Sequence, residues 1–477
     1  MRFVNKHDVF VIARNSGKVM VGIGIMCLVP ILVDLLYLEF NAIWFVIPAL
    51  MSICAGFICM KAFEKYSGNR VLLKHGMIIS ALSWLWASII CGLVFYFVTG
   101  INIVDAVFES MSALTGSGIT IYSDVEVLPH SVLFFRAFQQ WIGGLGIIVL
   151  IISFLSKPGS ASSRLYQSEA RDERIKPSIK TTIEHTIKIY LIYSAAGIIM
   201  YVIAGMPIFD SVCHTFTTIS TGGMSVKNAN IGYYHSDLIN LVTIVLMILG
   251  ATSFLVHYKF IKTRGKALID DFQFKVMISL IAGVSLLVYL ISNIVPMDIV
   301  FHVVSAITTT GASIQSSTVM GTWPANVIIL IMALMLMGGS NGSTVGALKL
   351  MRVITFFKGI YKNLREIMSP KGSVFKLEIS GKKISSNLVA ESGNYITLYL
   401  LCILITWILI CSYGHDPFNS LFFTISLQGN VGLEIGQISQ TLELPLKVIG
   451  IFNMWIGRLE IIPVLITFRA FFEVLKR

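Results

Sequence analysis

The chain alternates long apolar runs with short polar connections, and the runs fall into two length classes. Long runs occupy about 18–39, 42–62, 76–98, 134–156, 187–204, 236–257, 273–295, 325–353, 394–412 and 446–472. Roughly 20 helical residues cross a hydrocarbon core about 30 Å thick. Four shorter runs, at about 105–114, 210–219, 298–307 and 419–428, lie between long ones. A helix of that length reaches only about 15 Å, half of the core, so each is expected to enter the membrane and turn back.

The short runs share a frame. Each opens on Asp105, Asp210, Asp298 or Asn419, and the same offset leads to Gly118, Gly223, Gly311 or Gly432. The residues before and at these glycines are Thr115-Gly116-Ser117-Gly118, Ser220-Thr221-Gly222-Gly223, Thr308-Thr309-Thr310-Gly311 and Gly429-Asn430-Val431-Gly432. The opening residues can act as helix N-caps, which leaves the negative helix ends aimed at one place. The arrangement predicts an all-α polytopic membrane protein. Four parallel repeats of helix, re-entrant pore loop and helix would surround a pseudo-fourfold pore, preceded by two N-terminal transmembrane helices. The expected units are the N-terminal pair at 1–70 and repeats at 71–160, 161–262, 263–370 and 371–477.

Composition agrees: of 477 residues, 55% are hydrophobic and 13% charged, with a mean hydropathy of +0.81. Arg2, Lys6 and Arg14 run into the first apolar stretch without a small-residue cleavage site, so that helix is expected to be retained. The seven cysteines lie in or beside apolar runs, form no C-x-x-C pair and read as small buried hydrophobes. The net charge of +11 raises nucleic-acid binding, but the positions of the cations argue against it. All Lys and Arg except Arg136, Lys227, Lys447 and Arg458 fall in the N-terminus, 61–75, 157–188, 259–275, 349–383 and the C-terminus. That alternation predicts both termini in the cytoplasm, in a cell membrane, with all four re-entrant loops outside. Residues 157–164 read as a flexible connector, and 371–385 as a hairpin around Ser380-Gly381.

Non-helical backbone at membrane depth is tolerated where protein buries it or water lines it. Four such segments on one axis meet that condition by lining a pore, their carbonyl and hydroxyl oxygens replacing the hydration shell of a cation. The plainer alternatives are ordinary turns for the Gly-Thr segments and simple N-caps for the acids. Asp124, Glu126, Asp237, Glu434 and Glu443 in the outer loops would gather cations at the mouth, or merely solvate the surface.

Two features mark a gate. Residues 325–353 would make about 44 Å of helix, yet contain Gly338-Gly339-Ser340-Asn341-Gly342-Ser343-Thr344-Val345-Gly346. An unwound intramembrane segment is expected there. A small-residue packing face through Gly338 and Gly342 is the structural alternative. The match to G-x-S-x-G through Ser340 lacks the preceding strand that a hydrolase elbow requires. Arg458 lies within a long apolar run, where a cation costs roughly 2.5–3.5 kcal/mol. It reads either as a positive barrier below the filter or as a tie between helix ends and loop carbonyls. Glu460 is two residues away, on another helix face, and is not its expected partner.

Residues 105–120, 140–150 (Gln-Trp-Ile-Gly-Gly-Leu-Gly-Ile-Ile-Val-Leu), 210–225, 298–313 and 338–346, with Gly457-Arg458-Leu459-Glu460, resemble the Trk/Ktr/HKT superfamily of potassium transporters. The two extra N-terminal spans resemble its TrkH type. The resemblance implies a K+ pathway within each subunit, filter glycines at Gly118, Gly223, Gly311 and Gly432, and a gating loop at 338–346. It also implies a homodimer and a cytosolic, nucleotide-binding TrkA-type regulatory subunit. The chain itself shows no G-x-G-x-x-G after a strand. A serine at the first filter position accompanies sodium transport in some plant relatives, and this chain keeps Gly118. Gly116-Ser117 stands where the family more usually has a Thr pair, and Gly432-Leu433-Glu434 replaces a frequent Gly-Pro-Gly. The expected function is K+ uptake through a channel-like pore, with no enzymatic activity and no cofactor beyond the transported ion. The alternatives are an H+- or Na+-coupled secondary transporter, which needs a midplane site, and an intramembrane hydrolase using Ser340.

Overall fold

The computed structural model describes residues 4–66, 71–146, 179–263, 266–370, 375, 377–379, 381–436 and 438–476. The expected connector at 157–164 lies outside them. Within the described residues, six helices are long and apolar enough to cross a membrane, or up to eight if each of two bent pairs counts as one span. The chain is therefore a multi-pass, all-α membrane protein. Its described strands are Glu378–Ile379 and Lys382–Lys383, paired antiparallel around Gly381 as the expected hairpin.

The first helix starts earlier than its apolar run, at Lys6, and continues to Leu28. Asn5 and Asp8 cap it reciprocally, which lets its polar first turns stay helical. It packs along Ala42–Ala62 through Gly17 and Gly56. A Cβ on either would fall 2.7 Å or 2.6 Å from the carbonyl oxygen of the other, so only glycine permits this approach. Ser52 donates to the Met20 carbonyl at 2.7 Å and accepts from Trp86 Nε1 at 2.8 Å, fastening the pair to the first repeat.

Each repeat opens with a full span: Leu73–Thr99, Ile179–Ile203, Phe272–Ile291 and Ser386–Ser412. A short helix follows: Ile103–Thr115, Ile208–Ile219, Pro296–Ile307 and Pro417–Gly429, each of 12 or 13 residues. The acids expected as N-caps are not caps. Asn102, Pro207, Val295 and Asp416 hold that position, and Asp105, Asp210, Asp298 and Asn419 lie three residues further on. Prolines at Pro296 and Pro417 fix the starting turn, because their missing N–H would have no partner there in any case. The acids turn to other work. Asp105 pairs with Lys447 at 2.7 Å, Asp210 accepts from Tyr234 at 2.7 Å, and Asp298 accepts from Gln315 at 2.9 Å.

The third helices depart most from expectation. A break was expected in the third repeat alone, but the second and fourth repeats have one too, and in the first the expected span from 147 on lies outside the described residues. His130–Leu145 ends at Gly146, which has φ +90°. Asp237–Gly250 turns by 104° into the helix at Phe254, and Leu444–Leu459 turns by 117° into Ile461–Leu475. In the third repeat, Ala325–Met337 is followed by non-helical residues 338–349 and then Leu350–Ile367. Apolar length predicts the spans but not these corners, which tertiary contacts impose.

Candidate functional site

The four short helices end in one backbone motif. Ser117, Gly222, Thr310 and Val431 donate their N–H to the carbonyls of Ser112, Thr217, Ser305 and Ser426 at 2.8–3.0 Å. This is the 6→1 bond of a Schellman end, which requires a left-handed residue just before the donor. Gly116 (φ +77°), Thr221 (+56°), Thr309 (+51°) and Asn430 (+50°) fill that position. Two residues later a second left-handed turn occurs at Gly118, Gly223, Gly311 and Gly432. These glycines close a ring. A Cβ on Gly118 would stand 2.2 Å from Gly222 O, on Gly223 2.0 Å from Thr310 O, on Gly311 2.0 Å from Val431 O, and on Gly432 2.5 Å from Ser117 O. Each segment thus lies against its neighbour, and the fourth returns to the first.

Gly and Asn accept left-handed backbone readily, whereas β-branched Thr221 and Thr309 are strained there by roughly 1–2 kcal/mol each. Thr115 and Ser117 pair their hydroxyls at 3.2 Å, and Thr308 and Thr310 do so at 2.8 Å in the third repeat. The hydroxyl of Ser117 also meets Asn430 Nδ2 at 2.8 Å. Ser220 donates to the Thr217 carbonyl at 3.1 Å, and Gly429 O accepts from Ala347 N at 3.0 Å.

On one side the four glycines line a vestibule of about 270 Å³, together with Thr120, Lys227, Asn228, Gln315 and Glu434. Of the outer-loop acids, Glu434 lines it. Asp124 and Glu126 instead hold Asn228 at 2.8 Å and 3.0 Å, and Glu443 meets His415 at 3.0 Å. Glu434 is half-buried, accepts from the N–H and hydroxyl of Ser439, and is pushed up to about 6 by burial.

On the other side lies the loop expected as a gate. Gly338 and Gly342 have φ +68° and +72°, so no helical packing face forms through them, and a helix rather than a strand precedes Ser340. Gly339 accepts from Leu350 N at 3.0 Å, Ser340 N donates to Ala251 O at 3.1 Å, and Ser343 donates to the Ser340 carbonyl. Asn341 N donates to Gln273 Oε1 at 2.8 Å, while Phe254 N donates to Gly342 O at 3.1 Å. The far end of the loop touches the ring. Thr344 Oγ1 lies 3.1 Å from Thr221 Oγ1 and 3.0 Å from Gly250 O. Gly346 N donates to Thr309 Oγ1 at 3.1 Å, and a Cβ on Gly346 would stand 2.2 Å from Gly429 O. The loop therefore bonds to the two strained threonines of the ring.

Arg458 donates from Nη1 to Thr344 O at 2.7 Å and from Nη2 to the carbonyls of Gly143 and Gly144. Its guanidinium also lies over the Trp84 ring, 5.8 Å from the centroid. Glu460 is not its partner. In left-handed backbone at the corner, Glu460 binds Arg352 at 2.5 Å and Lys349 at 3.4 Å.

Run length and charge asymmetry do not reveal one buried ion pair. Glu109, fully buried in the first short helix, binds Arg136 at 2.8 Å and accepts from Thr120 and Ile121 at 3.0 Å. Arg136 also donates to Ser225 O at 3.0 Å. Glu109 stands four residues after Asp105, where His214 and His302 stand after Asp210 and Asp298. Aligning the repeats would have exposed it.

The family model of TrkH, described as a cation transport protein, matches residues 47–295 and 292–474. The chain belongs to the TrkH family. It is 37% identical to an uncharacterised cation transporter of Methanocaldococcus jannaschii, over 99% of this chain and 98% of that one. The Trk system potassium uptake protein TrkG of Escherichia coli is 28% identical over 98% of this chain and 99% of its own. Among solved structures, the potassium transporter TrkH from Vibrio parahaemolyticus superposes with a TM-score of 0.86 at 26% identity, covering 96% of this chain and 98% of that one.

Proposed function

We propose that this chain takes up K+ across the cell membrane through a channel-like path on the axis of the glycine ring. The observation that carries the reading is the ring itself: four segments with paired left-handed turns, packed carbonyl against glycine around one axis. Thr115 to Gly118, Ser220 to Gly223, Thr308 to Gly311 and Gly429 to Gly432 are assigned as the selectivity filter, with K+ held by their oxygens. Relatives named as potassium uptake proteins support K+ as the cargo. The loop from Gly338 to Gly346 and Arg458 are assigned as the gate, since the loop bonds to Thr221 and Thr309 of the ring and Arg458 bonds to the loop.

The charge asymmetry supports both termini in the cytoplasm and the vestibule outside. A homodimer and a cytosolic TrkA-type nucleotide-binding subunit follow from the family resemblance, and co-purification tests the second. Coupled transport is the weaker reading, because the buried carboxylate of Glu109 is already neutralised by Arg136. The deciding experiment is flux of K+, Rb+ and Na+ through the purified protein in liposomes. Equal K+ and Na+ flux would refute selectivity, and a fixed H+ or Na+ stoichiometry would replace the channel with a coupled carrier.

A further inference from the structure

One side chain of the first repeat holds the second filter segment by two hydrogen bonds, and its counterparts in the second and fourth repeats cannot do the same. Gly143, Gly250 and Gly457 occupy one register of the repeats. A Cβ on each would stand 1.8 Å, 2.7 Å or 2.1 Å from the carbonyl oxygen of Leu114, Ile219 or Gln428, the residue four before the filter glycine. Three residues earlier in the same register stand Gln140, Met247 and Met454. All three are fully buried. The methionines have no side-chain group that can donate a hydrogen bond and only a weak sulfur acceptor. Gln140 has one strong donor group and one strong acceptor, and uses both on the second segment.

Gln140 Nε2 donates to Gly222 O at 2.7 Å, and Gln140 Oε1 accepts from Met224 N at 3.1 Å. The two bonds bracket Gly223 on either side. Gly222 O is also the oxygen against which Gly118 is packed. A single amide therefore fixes the carbonyl shared by the first two quarters of the ring. Its approach is so close that a Cβ on Gly222 would stand 2.4 Å from the Gln140 side chain. The helix carrying Gln140 is itself pinned one turn earlier, where Arg136 binds Glu109 and Ser225 O.

We infer that Gln140 is a positioning residue for ion selectivity, setting the orientation of the Gly222 carbonyl in the filter. This rests on the reading of the ring as a filter. In water-free surroundings an amide that loses one partner leaves the other buried and unpaired, so the segment would shift to find a new one. A turned Gly222 carbonyl no longer faces the ion with the same field, and discrimination between K+ and Na+ depends on that field and on the size of the ring.

The test is the K+ to Na+ flux ratio of purified full-length protein in liposomes, for Gln140→Leu and Gln140→Glu. Leucine removes both bonds. Glutamate keeps the shape and the bond from Met224 N but cannot donate to Gly222 O when ionised, so it supplies a folded variant if leucine fails to fold. Gln139→Leu is the comparison, since buried Gln139 on the same helix accepts from Ser110 at 3.0 Å. A merely structural role for Gln140 would lower the melting temperature in both positions and leave the ratio alone. The expected result is a ratio that falls about fivefold or more in both Gln140 variants and stays within about twofold in Gln139→Leu. Retention of the unmodified ratio by Gln140→Leu, or by Gln140→Glu above about pH 9, where even a buried carboxyl is ionised, overturns the assignment. Gly223→Ala separates the two ideas. If it shifts the ratio and neither Gln140 variant does, the filter stands and Gln140 is only structural. If none of the three shifts it, the filter reading fails as well.

Discussion

Arg458 reaches the carbonyl oxygen of Thr344 at 2.7 Å while its other amino group bonds Gly143 and Gly144. One guanidinium thus ties the loop beneath the ring to the last turn of His130–Leu145 in the first repeat. Arg458→Gln shortens the reach and removes the charge. Basal Rb+ flux into liposomes should rise severalfold with the K+ to Na+ ratio unchanged. Unchanged flux would leave Arg458 a structural tie alone.

Thr344 also braces the ring. Thr344→Val keeps its shape and removes the hydroxyl that meets Thr221 Oγ1 and Gly250 O. Each bond contributes about 1 kcal/mol to the resting loop, so the open fraction should rise about fivefold per bond lost. Single-channel recording would show this as more frequent openings of unaltered conductance. Altered conductance would move Thr344 from gate to filter.

Gly118→Ser places a Cβ 2.2 Å from Gly222 O, on a residue with φ +74°. The ring must open at the junction of its first two quarters. The K+ to Na+ flux ratio should fall by about tenfold, equivalent to about 1.4 kcal/mol of preference. A ratio equal to that of the unmodified protein would contradict the filter assignment at this position.

Glu434 supplies a carboxylate to the vestibule, and burial raises it to about 6. Above that pH it is charged and attracts cations; below it the proton cancels the charge. At low ionic strength, K+ entry should fall as the vestibule side is acidified from pH 7 to pH 5. Glu434→Gln should flatten that profile at the lower level. A profile unchanged by the substitution would assign the pH response elsewhere.

Glu109 and Arg136 are both buried and mutually paired. Arg136→Met leaves Glu109 without its cation and should cost about 3–5 kcal/mol, read as a lower melting temperature in detergent. Adding Glu109→Gln should restore part of the loss. If the double variant melts lower than Arg136→Met, the pair is not the stabilising unit.

The sequence by itself determined the element types, the four-repeat plan and the glycines of the ring. These follow from run length and a constant offset, which are local properties of each repeat. The same locality explains its errors. An acid near a helix start looks like a cap, but Asp105, Asp210 and Asp298 are one turn inside and bond to Lys447, Tyr234 and Gln315 from other elements. An apolar run of helical composition looks continuous, yet Glu460 breaks one because Arg352 and Lys349 hold its side chain across the fold. Only the tertiary structure decided which oxygen meets which donor. Gln140 finds Gly222, Arg458 finds Thr344 and Glu109 finds Arg136 across sequence distances that no periodicity records, because burial in an apolar medium forces each polar group to a partner wherever the fold supplies one.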